Sequence, residues 1–530
     1  MKKLPIGIND YKQIIEGNYI YVDKTRYLHE MATTGIYYFL SRPRRFGKSL
    51  TVSTFYYLFT GEKELFKDTW IYNNWDWEKE RYPVVVLDMN RLNTSDIGSM
   101  RKRLEMILEE HAEIYGIVLQ DDTIDGKFEQ LIKKAHEKVK KPVVLLIDEY
   151  EKPILDHITN KAKIEEMRNE LRQFYGKIKS LGSSLRFVFI TGITKFTKMG
   201  VFSALNNLTD ITFSEFYSQM LGYTQQEIEH YFSEHITKVS REMKMTEKEY
   251  LGTLKSYYDG FSFDGLHHVY NPYAVLLALY NKKFASYWNE SGAPQFIFEY
   301  FKTHKVTRDD LVGKIVPESD FTDKEIEDTS PVIFLTQAGY LTLTKRVSPD
   351  PKQGPMYILG IPNIDVEAGL DKVLLEARYG MDTSEINQKI YIIRESMAKE
   401  DVEQLMGAIQ SALAEISYDV IERIKRSGKE DKITQLESFY QTYIKTLLGV
   451  AGYKVIEEQI ANTGRADLVV KTNGTVYIFE LKIDQPASKA IEQIKQKRYY
   501  ESYRYKRCYL VGISISSEER NIKEWKYEKV

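Results

Sequence analysis

The sequence predicts an α/β protein that begins with a doubly wound parallel sheet and ends in a second, smaller α/β domain. Three continuous apolar runs, at 36–40, 143–147 and 187–190, have the length and composition of strands buried on both faces. Polar residues follow each run, and helical patterns lie between the runs. Because ligands bind beyond the carboxyl ends of parallel strands, we expect these polar residues to form a binding site.

Composition excludes several classes of protein. The chain has 530 residues, of which 43% are hydrophobic, and its net charge of −2 limits nucleic-acid contact to a local patch. One cysteine, Cys508, allows neither an intrachain disulfide nor a cysteine-based zinc site, which fits a reducing compartment. The start lacks the apolar segment of a signal peptide, and no run approaches about 20 apolar residues. We therefore expect a soluble, cytoplasmic protein that has no membrane partner.

The first motif is Gly47-Lys48-Ser49, between an apolar run and a helical pattern. In a P-loop, backbone N–H groups and a helix N-terminus hold phosphate oxygens, the lysine neutralises the β- and γ-phosphates, and the serine hydroxyl binds Mg²⁺. Arg42 stands where the usual pattern has its first glycine. The candidate ATP-binding residues of this loop are Arg42, Arg44, Arg45, Phe46, Gly47, Lys48, Ser49 and Leu50. The alternative is a GKS tripeptide in an ordinary surface turn.

Two acids, Asp148 and Glu149, directly follow the second apolar run. In a P-loop ATPase we expect the strand beside the P-loop strand to end in an Asp that holds Mg²⁺, followed by a Glu that polarises the attacking water. The spacing of about 100 residues from the P-loop fits this arrangement. Thr191 or Thr194, after the third run, is the candidate γ-phosphate sensor. The alternatives are a buried strand that ends in solvated acids and a threonine that only caps a strand.

The middle of the chain has no catalytic motif. A helical pattern over 223–280 predicts a lid, and a helix at 330–339 followed by alternating strands at 340–345 and 356–361 predicts a winged-helix-like module. Such a module either contacts DNA or packs as a structural element. The predicted domains are an ATPase domain at 1–222, a lid and winged-helix-like region at 223–365, a helical connector at 366–427 and a final domain at 428–530.

Four charged residues near the end predict a second phosphate-handling centre. Glu437 lies beside the apolar stripe of a predicted helix, Asp467 lies in a strand, and Glu480 and Lys482 share one face of the next strand. Two carboxylates can bind Mg²⁺ or Mn²⁺, and the lysine can position a water or stabilise the transition state. A hairpin with an exposed Glu/Lys pair is the alternative, although these charges interrupt the most apolar strand of the region.

A basic segment follows this strand. Between Lys489 and Arg507 there are seven basic residues and two acidic ones, with tyrosines between them. This pattern suits contact with a phosphate backbone, and it equally suits a solvated helix face.

The first half resembles the prokaryotic AAA-ATPase-like family, whose P-loop reads RPRRFGKS, as residues 42–49 do here. That family lacks the first P-loop glycine, so Arg42 is compatible with ATP binding. Further stretches that resemble its signatures are 21–25, 148–149, 190–196, 205–208, 258–261, 270–272 and 337–341.

The C-terminal part resembles the PD-(D/E)XK nuclease superfamily in the version appended to these ATPases. Glu437 falls on its helix acid, Asp467 and Glu480 on its two metal acids, and Lys482 on its lysine. Gln493 falls on a glutamine often found in its next helix. The usual proline before the first metal acid is Ala466 here, which is a tolerated change.

The resemblance implies an ATP-binding and ATP-hydrolysing P-loop domain fused to a restriction-endonuclease-like domain that depends on Mg²⁺ or Mn²⁺. The expected activity is nucleotide-gated cleavage of nucleic acid, with DNA the expected form. One alternative is a nucleotide-dependent switch whose nuclease fold only binds nucleic acid or a protein partner. Another is an ATPase that acts on protein partners alone.

Overall fold

The computed structural model describes the whole chain except residues 196–206, 289–294, 304–310, 322–328, 348–353, 380–382, 417–431, 454, 462–463, 473 and 504. The chain forms two compact units. The first runs to Asp365 and the second from Val366 to Val530, with short segments between 291 and 305 assigned to the second. The predicted boundaries within each unit stay predictions.

The first unit contains the predicted parallel sheet. Its strands are β1 Tyr37–Ser41, β2 Val84–Asp88, β3 Val143–Asp148, β4 Leu185–Gly192 and β5 Thr209–Asp210. They lie in the order β2-β3-β4-β1-β5, and every neighbouring pair is parallel. All residues of β1 and β3 are buried, which accounts for their uninterrupted apolar sequence.

The strand order corrects one expectation. The strand that ends in Asp148 was expected to lie beside the P-loop strand, and this is wrong because β4 separates β3 from β1. Strand β4 pairs with β1 up to Ser41↔Gly192 and with β3 up to Ile147↔Ile190. The end of β4 therefore lies between the P-loop and the two acids.

Helices connect and cover the strands. In chain order they are α1 Tyr11–Glu16, α2 Thr25–Thr34, α3 Lys48–Thr60, α4 Ile97–Ile114, α5 Ile124–Val139, α6 Lys152–Leu155, α7 Lys161–Ser180, α8 Gln225–Tyr231, α9 Ser233–Glu242, α10 Glu247–Tyr258, α11 Pro272–Asn281, α12 Gln295–Thr303, α13 Pro331–Ala338, α14 Ile364–Tyr379, α15 Thr383–Lys399, α16 Val402–Ala414, α17 Lys432–Val450 and α18 Ala487–Gln496. Helix α3 begins at Lys48, directly after Gly47, whose φ of 99° is a conformation that glycine adopts readily.

The middle of the first unit is helical, as predicted, and then forms a small sheet. Helices α8 to α11 share an apolar core with Ile20 and Val22 of the N-terminal segment. Helix α13 ends at Ala338, is capped by Gly339 and is followed by the predicted hairpin of β7 Thr342–Val347 and β8 Met356–Gly360. A third strand, β6 Ile315–Pro317, was not predicted and pairs with β8.

The second unit contains a mixed sheet. Its strands are β9 Val455–Ala461, β10 Gly464–Lys471, β11 Thr475–Ile483, β12 Arg507–Ser516 and β13 Asn521–Lys529, in the order β13-β12-β11-β10-β9. Strands β11 and β12 pair in parallel, and the other three neighbouring pairs are antiparallel. Strand β13 was not predicted, because this edge strand is mostly exposed and rich in charge. The predicted turn at Asn473 lies outside the described residues.

The helices before this sheet belong to the same compact unit. Ile393 of α15 and Ile409 of α16 share one apolar core with Tyr443 of α17 and with Val511 of β12. We had interpreted residues 366–427 as a helical connector, and the sequence did not predict that its helices share a core with the sheet.

The single cysteine lies in the second unit. Cys508 on β12 is buried, with 2% of its surface exposed. Burial raises the pKa of its thiol to about 11.

Candidate functional sites

A cavity of about 350 Å³ lies over the start of α3 in the first unit. We call it the P-loop cavity. It is lined by residues 45–51, by Glu149, by parts of the N-terminal segment 5–24, by residues 220–223 and by Pro272, Tyr273 and Leu276. Polar groups lie at the P-loop end, whereas Ile8, Ile14, Val22 and Leu276 make other walls apolar. A cavity with a few polar groups among apolar walls is typical of a small-molecule site.

Lys48 is held at the polar end of this cavity. Only 4% of it is exposed, and its Nζ donates hydrogen bonds to the carbonyl oxygens of Arg42, at 3.0 Å, and Pro43, at 3.2 Å. The same Nζ lies 3.4 Å from Oε1 of Glu149. The loop therefore wraps around its own lysine, and the predicted base lies next to it.

Ser49 and Asp148 are in contact, which places them close enough to bind one metal ion together. A hydrogen bond joins the Ser49 side chain to the Asp148 carboxylate, and Oδ1 of Asp148 has no partner among the described residues. Burial and the neighbouring Glu149 raise the pKa of Asp148 to about 6. A buried carboxylate that has an unpartnered oxygen and a hydroxyl beside it fits Mg²⁺. Asp88, the register partner of Asp148 on β2, adds negative charge that sequence reasoning had not used.

The two sensor candidates differ in what their hydroxyls bind. The Thr191 hydroxyl donates to the carbonyl oxygen of Leu40 at 2.8 Å and so ties β4 to β1. The Thr194 hydroxyl is buried and has no partner among the described residues. Of these two threonines, Thr194 is the one whose hydroxyl has no partner among the described residues.

The three loop arginines have different surroundings. The Arg42 guanidinium is buried, donates to the carbonyl oxygens of Thr212, at 2.8 Å, and Tyr217, at 3.2 Å, and does not line the P-loop cavity. Arg44 is exposed and does not line it either. Arg45 does line the cavity, where its guanidinium lies 4.2 Å from the centre of the Tyr273 ring.

Sequence reasoning missed two charged residues near this site. Lys24 lines the cavity and is partly buried, with Nζ 2.6 Å from Oε1 of Glu227. Glu151 is fully buried behind the predicted acids. Lys24 lies in the stretch 21–25, which the sequence analysis had marked. Glu151 lies two residues beyond the marked pair 148–149 and had no such signal.

The second candidate site lies on β10 and β11 of the second unit. Asp467 and Glu480 each lie one residue beyond the paired residues Leu468 and Phe479, which makes them neighbours across the antiparallel strands. Lys482 Nζ lies 3.2 Å from Oε1 of Glu480 and 3.5 Å from Oε1 of Glu437 on α17. The backbone N–H of Leu481 donates to Oδ2 of Asp467 at 2.7 Å.

Glu480 is the most buried member of this group, with 1% of its surface exposed. Burial and the charge of Asp467 raise its pKa to about 7. The Gln493 amide on α18 donates to Oε1, whereas Oε2 has no partner among the described residues.

No group of three or more His, Cys, Asp or Glu side chains has metal-binding geometry in the described part of the chain. Two adjacent carboxylates with an unpartnered oxygen nevertheless fit a divalent cation that completes its shell with waters.

The basic segment after β11 is solvent-exposed where it is described. Lys489, Lys495, Lys497, Arg498, Lys506 and Arg507 are exposed. Some of this charge is paired within the chain, since Lys495 lies 2.6 Å from Glu528 and Arg507 lies 2.9 Å from Glu400. Arg504 lies outside the described residues.

A parallel sheet with a lysine-bearing loop between its first strand and a helix, and with acids at the end of another strand, is the architecture of a P-loop ATPase. A family model described as "Predicted AAA-ATPase" matches residues 5–202, and one described as "PD-(D/E)XK nuclease superfamily" matches residues 435–525. A relative from Azotobacter chroococcum mcd 1, named "Uncharacterized protein in vnfD 5'region", is 31% identical over 528 residues, which covers 98% of each chain.

The chain therefore belongs to the AAA-ATPase-like family and carries a domain of the PD-(D/E)XK nuclease superfamily at its C-terminal end. Of the family signatures, parts of 190–196 and 205–208 lie outside the described residues. Within the described helices, none has both the length and the apolar character needed to cross a bilayer.

Proposed function

We propose that the first unit binds and hydrolyses ATP, and that the bound nucleotide controls metal-dependent cleavage of nucleic acid, with DNA the expected form, by the second unit. The observation that carries the proposal is the presence of two separate groups of acids with a lysine. One is Lys48 and Glu149 in the P-loop cavity together with Asp148 at the end of β3, and the other is Asp467, Glu480 and Lys482 on β10 and β11.

In the first unit, Lys48 would neutralise the β- and γ-phosphates of ATP. Glu149 would accept a proton from the attacking water, because it lines the cavity and its Oε1 lies 3.4 Å from Nζ of that lysine. Ser49 and Asp148 would hold Mg²⁺, which neutralises phosphate charge when it is bound. Among the loop arginines, the position of Arg45 in the cavity wall supports a role in nucleotide binding.

In the second unit, Asp467 and Glu480 would hold Mg²⁺ or Mn²⁺. The metal would supply a water with a lowered pKa and neutralise charge on the scissile phosphate. Lys482 would orient that water or stabilise the negative charge of the transition state, since its Nζ reaches Glu480. Glu437 and Gln493 would hold Lys482 and Glu480 in place through the contacts described above.

The nuclease part is tested with plasmid and single-stranded DNA in the presence of Mn²⁺ and ATP. We expect the wild type and Glu492→Gln to cut, because Glu492 is an exposed acid on the neighbouring helix α18. Asp467→Asn should not cut. If the wild type binds DNA in a mobility-shift assay but cuts under no condition, the binding-only alternative is correct and the nuclease part of the proposal is wrong.

The control by nucleotide is tested separately with Lys48→Ala. We expect the cutting rate of the wild type to change when ATP is added, and the variant to cut at one rate with or without ATP. If the wild type cuts DNA at equal rates with ATP, with ADP and without nucleotide, control by nucleotide is wrong. That result would not contradict the ATPase and nuclease activities themselves.

A further inference from the structure

Glu151 is a buried acid to which the proposed mechanism gives no role. It directly precedes helix α6, and none of its surface is exposed. Its Oε1 accepts hydrogen bonds from the backbone N–H groups of Ile193 and, at 3.0 Å, Thr194. Its Oε2 has no partner among the described residues, and it fills the space that a Cβ on Gly192 would need.

The turn that Glu151 binds is Gly192–Thr194, which directly continues β4 and which we call the β4 turn. Two residues at the end of the P-loop strand bind the same turn: the Arg42 backbone N–H donates to Gly192 O at 3.1 Å, and the Ser41 hydroxyl donates to Ile193 O. From the other side, the Tyr150 hydroxyl donates to Thr194 O at 3.1 Å. The β4 turn is therefore fixed both to the start of the P-loop and to the segment that carries the acids.

The burial of Glu151 is unfavourable, and the hydrogen bonds from the β4 turn offset part of that cost. A carboxylate that loses its water must be compensated, and burial together with the charge of Glu149 raises the pKa of Glu151 to about 8. The compensation consists of the two N–H groups of the β4 turn. Those N–H groups belong to the same turn as the Thr194 hydroxyl, the buried donor that has no described partner.

We infer that Glu151 is a positioning residue for ATP hydrolysis: it holds the β4 turn so that the Thr194 hydroxyl stays fixed relative to Glu149. This inference rests on the proposed ATPase function. Neither Glu151 nor Thr194 lines the P-loop cavity. Glu151 acts through the turn and touches neither nucleotide nor water. The role requires a hydrogen-bond acceptor at Oε1, which glutamine also supplies.

The test is a double-mutant cycle on the full-length protein, with ATP binding and steady-state hydrolysis measured separately. Thr194→Val, which keeps the side-chain shape, should lower kcat about 100-fold, the size expected for one lost donor to a developing charge, with ATP affinity changed less than threefold. Glu151→Ala should lower kcat in the same way. The double variant should be no slower than Thr194→Val alone, because residues that act through one another are not additive.

Glu151→Gln is the matched control, since it keeps the acceptor for the two N–H groups. We expect it to retain kcat within about threefold and to match the wild type in thermal unfolding. If Glu151→Ala does not fold, Ser41→Ala replaces it in the cycle, because it removes a hydrogen bond to the same turn from the opposite side.

The outcomes separate this inference from the function on which it rests. A folded wild type that binds no ATP or does not hydrolyse it would contradict the proposed function. A hydrolysing wild type with normal kcat in Thr194→Val would overturn the inference. Multiplying losses in the double variant would overturn it as well, since Glu151 would then act independently of Thr194.

Discussion

Lys48 and Glu149 form an ion pair in the P-loop cavity, with Nζ 3.4 Å from Oε1. Glu149 adopts a φ of 51°, a left-handed conformation that is uncommon for a residue with a side chain. Such conformations cluster at functional sites. Because the ion pair neutralises the lysine, an incoming phosphate has to compete with the carboxylate for it.

We expect Glu149→Gln to bind ATP at least as tightly as the wild type and to hydrolyse it 10² to 10⁴ times more slowly, on the order of the contribution of a general base. Affinity rises because the neutral amide no longer competes with phosphate for Lys48. Calorimetric titration and phosphate release measure the two quantities. Glu137→Gln, an exposed acid on α5, is the control and should behave as the wild type. Unchanged turnover in Glu149→Gln would show that another group activates the water.

Two arginines of one loop should differ in what their loss affects. Arg42→Ala removes a buried guanidinium from the carbonyl oxygens of Thr212 and Tyr217 and from its position 4.0 Å from the centre of the Phe263 ring. We expect the free energy of unfolding to fall by about 3 kcal/mol, since hydrogen bonds to charged groups contribute about 1.5–3 kcal/mol each. Arg44→Ala should leave it unchanged.

Urea denaturation followed by tryptophan fluorescence measures this difference, since Trp70, Trp75, Trp77 and Trp288 all lie in the first unit. Equal stability of the two variants would contradict a structural role for Arg42. A loss of ATP affinity in Arg44→Ala, measured by calorimetry, would show that this exposed side chain reaches the nucleotide.

Asp365 should make the stability of the first unit depend on pH. The carboxylate accepts hydrogen bonds from the Trp288 backbone N–H, at 3.0 Å, and from the Ser286 hydroxyl, at 2.9 Å, but burial raises its pKa from 3.8 to about 7. Between these values the folded state holds a proton that the unfolded state has released. Stability should therefore fall as pH rises from 4 to 7, by up to about 4 kcal/mol.

Asp365→Asn removes this proton linkage. We expect the stability of the variant relative to the wild type to increase from pH 5 to about pH 7 and then to level off, measured by the same urea denaturation. The exposed Asp76→Asn variant should show no such trend. A stability difference that does not vary with pH would mean that the carboxyl is already ionised at pH 5 in the folded protein.

Lys482 should affect cleavage more than metal binding. Its Nζ contacts Glu480 and Glu437, but Lys482 is not itself a proposed metal ligand. We expect Lys482→Ala to cut DNA 10² to 10⁴ times more slowly, on the order of the loss of one proton-transfer or charge-stabilising group. Mn²⁺ affinity, measured by calorimetry, should stay within tenfold. The exposed Lys497→Ala variant is the control for a general loss of positive charge. Normal cleavage by Lys482→Ala would show that Lys482 does not stabilise the transition state.

The sequence predicted individual strands well and their order poorly. The runs that became β1, β3 and β4 are nearly continuous in apolar residues, which identifies a strand buried on both faces. The same property makes the three runs interchangeable, so nothing local places β4 between the other two. Strand β13 was missed for the opposite reason, since Lys523, Glu524 and Lys526 give it the composition of a loop.

The local sequence also did not predict which side chains point into the P-loop cavity. Arg42 and Lys48 both appeared as phosphate-binding cations, yet only Lys48 lines the cavity, because residues more than 150 positions away surround the Arg42 guanidinium. Asp467, Glu480 and Lys482 could be grouped because strand alternation and antiparallel pairing fix their shared face within 16 positions of chain. Glu151 could not, since its partners belong to another strand end.

The burial of Cys508, whose thiol ionises only at high pH, makes this chain convenient for spectroscopy. A thiol that stays protonated and shielded reacts slowly with maleimide reagents, since the thiolate is the reactive form. A cysteine introduced at an exposed position of either unit would be labelled almost alone, without removal of the native residue. Paired fluorophores attached in this way would report directly whether adding nucleotide changes the distance between the two halves of the protein.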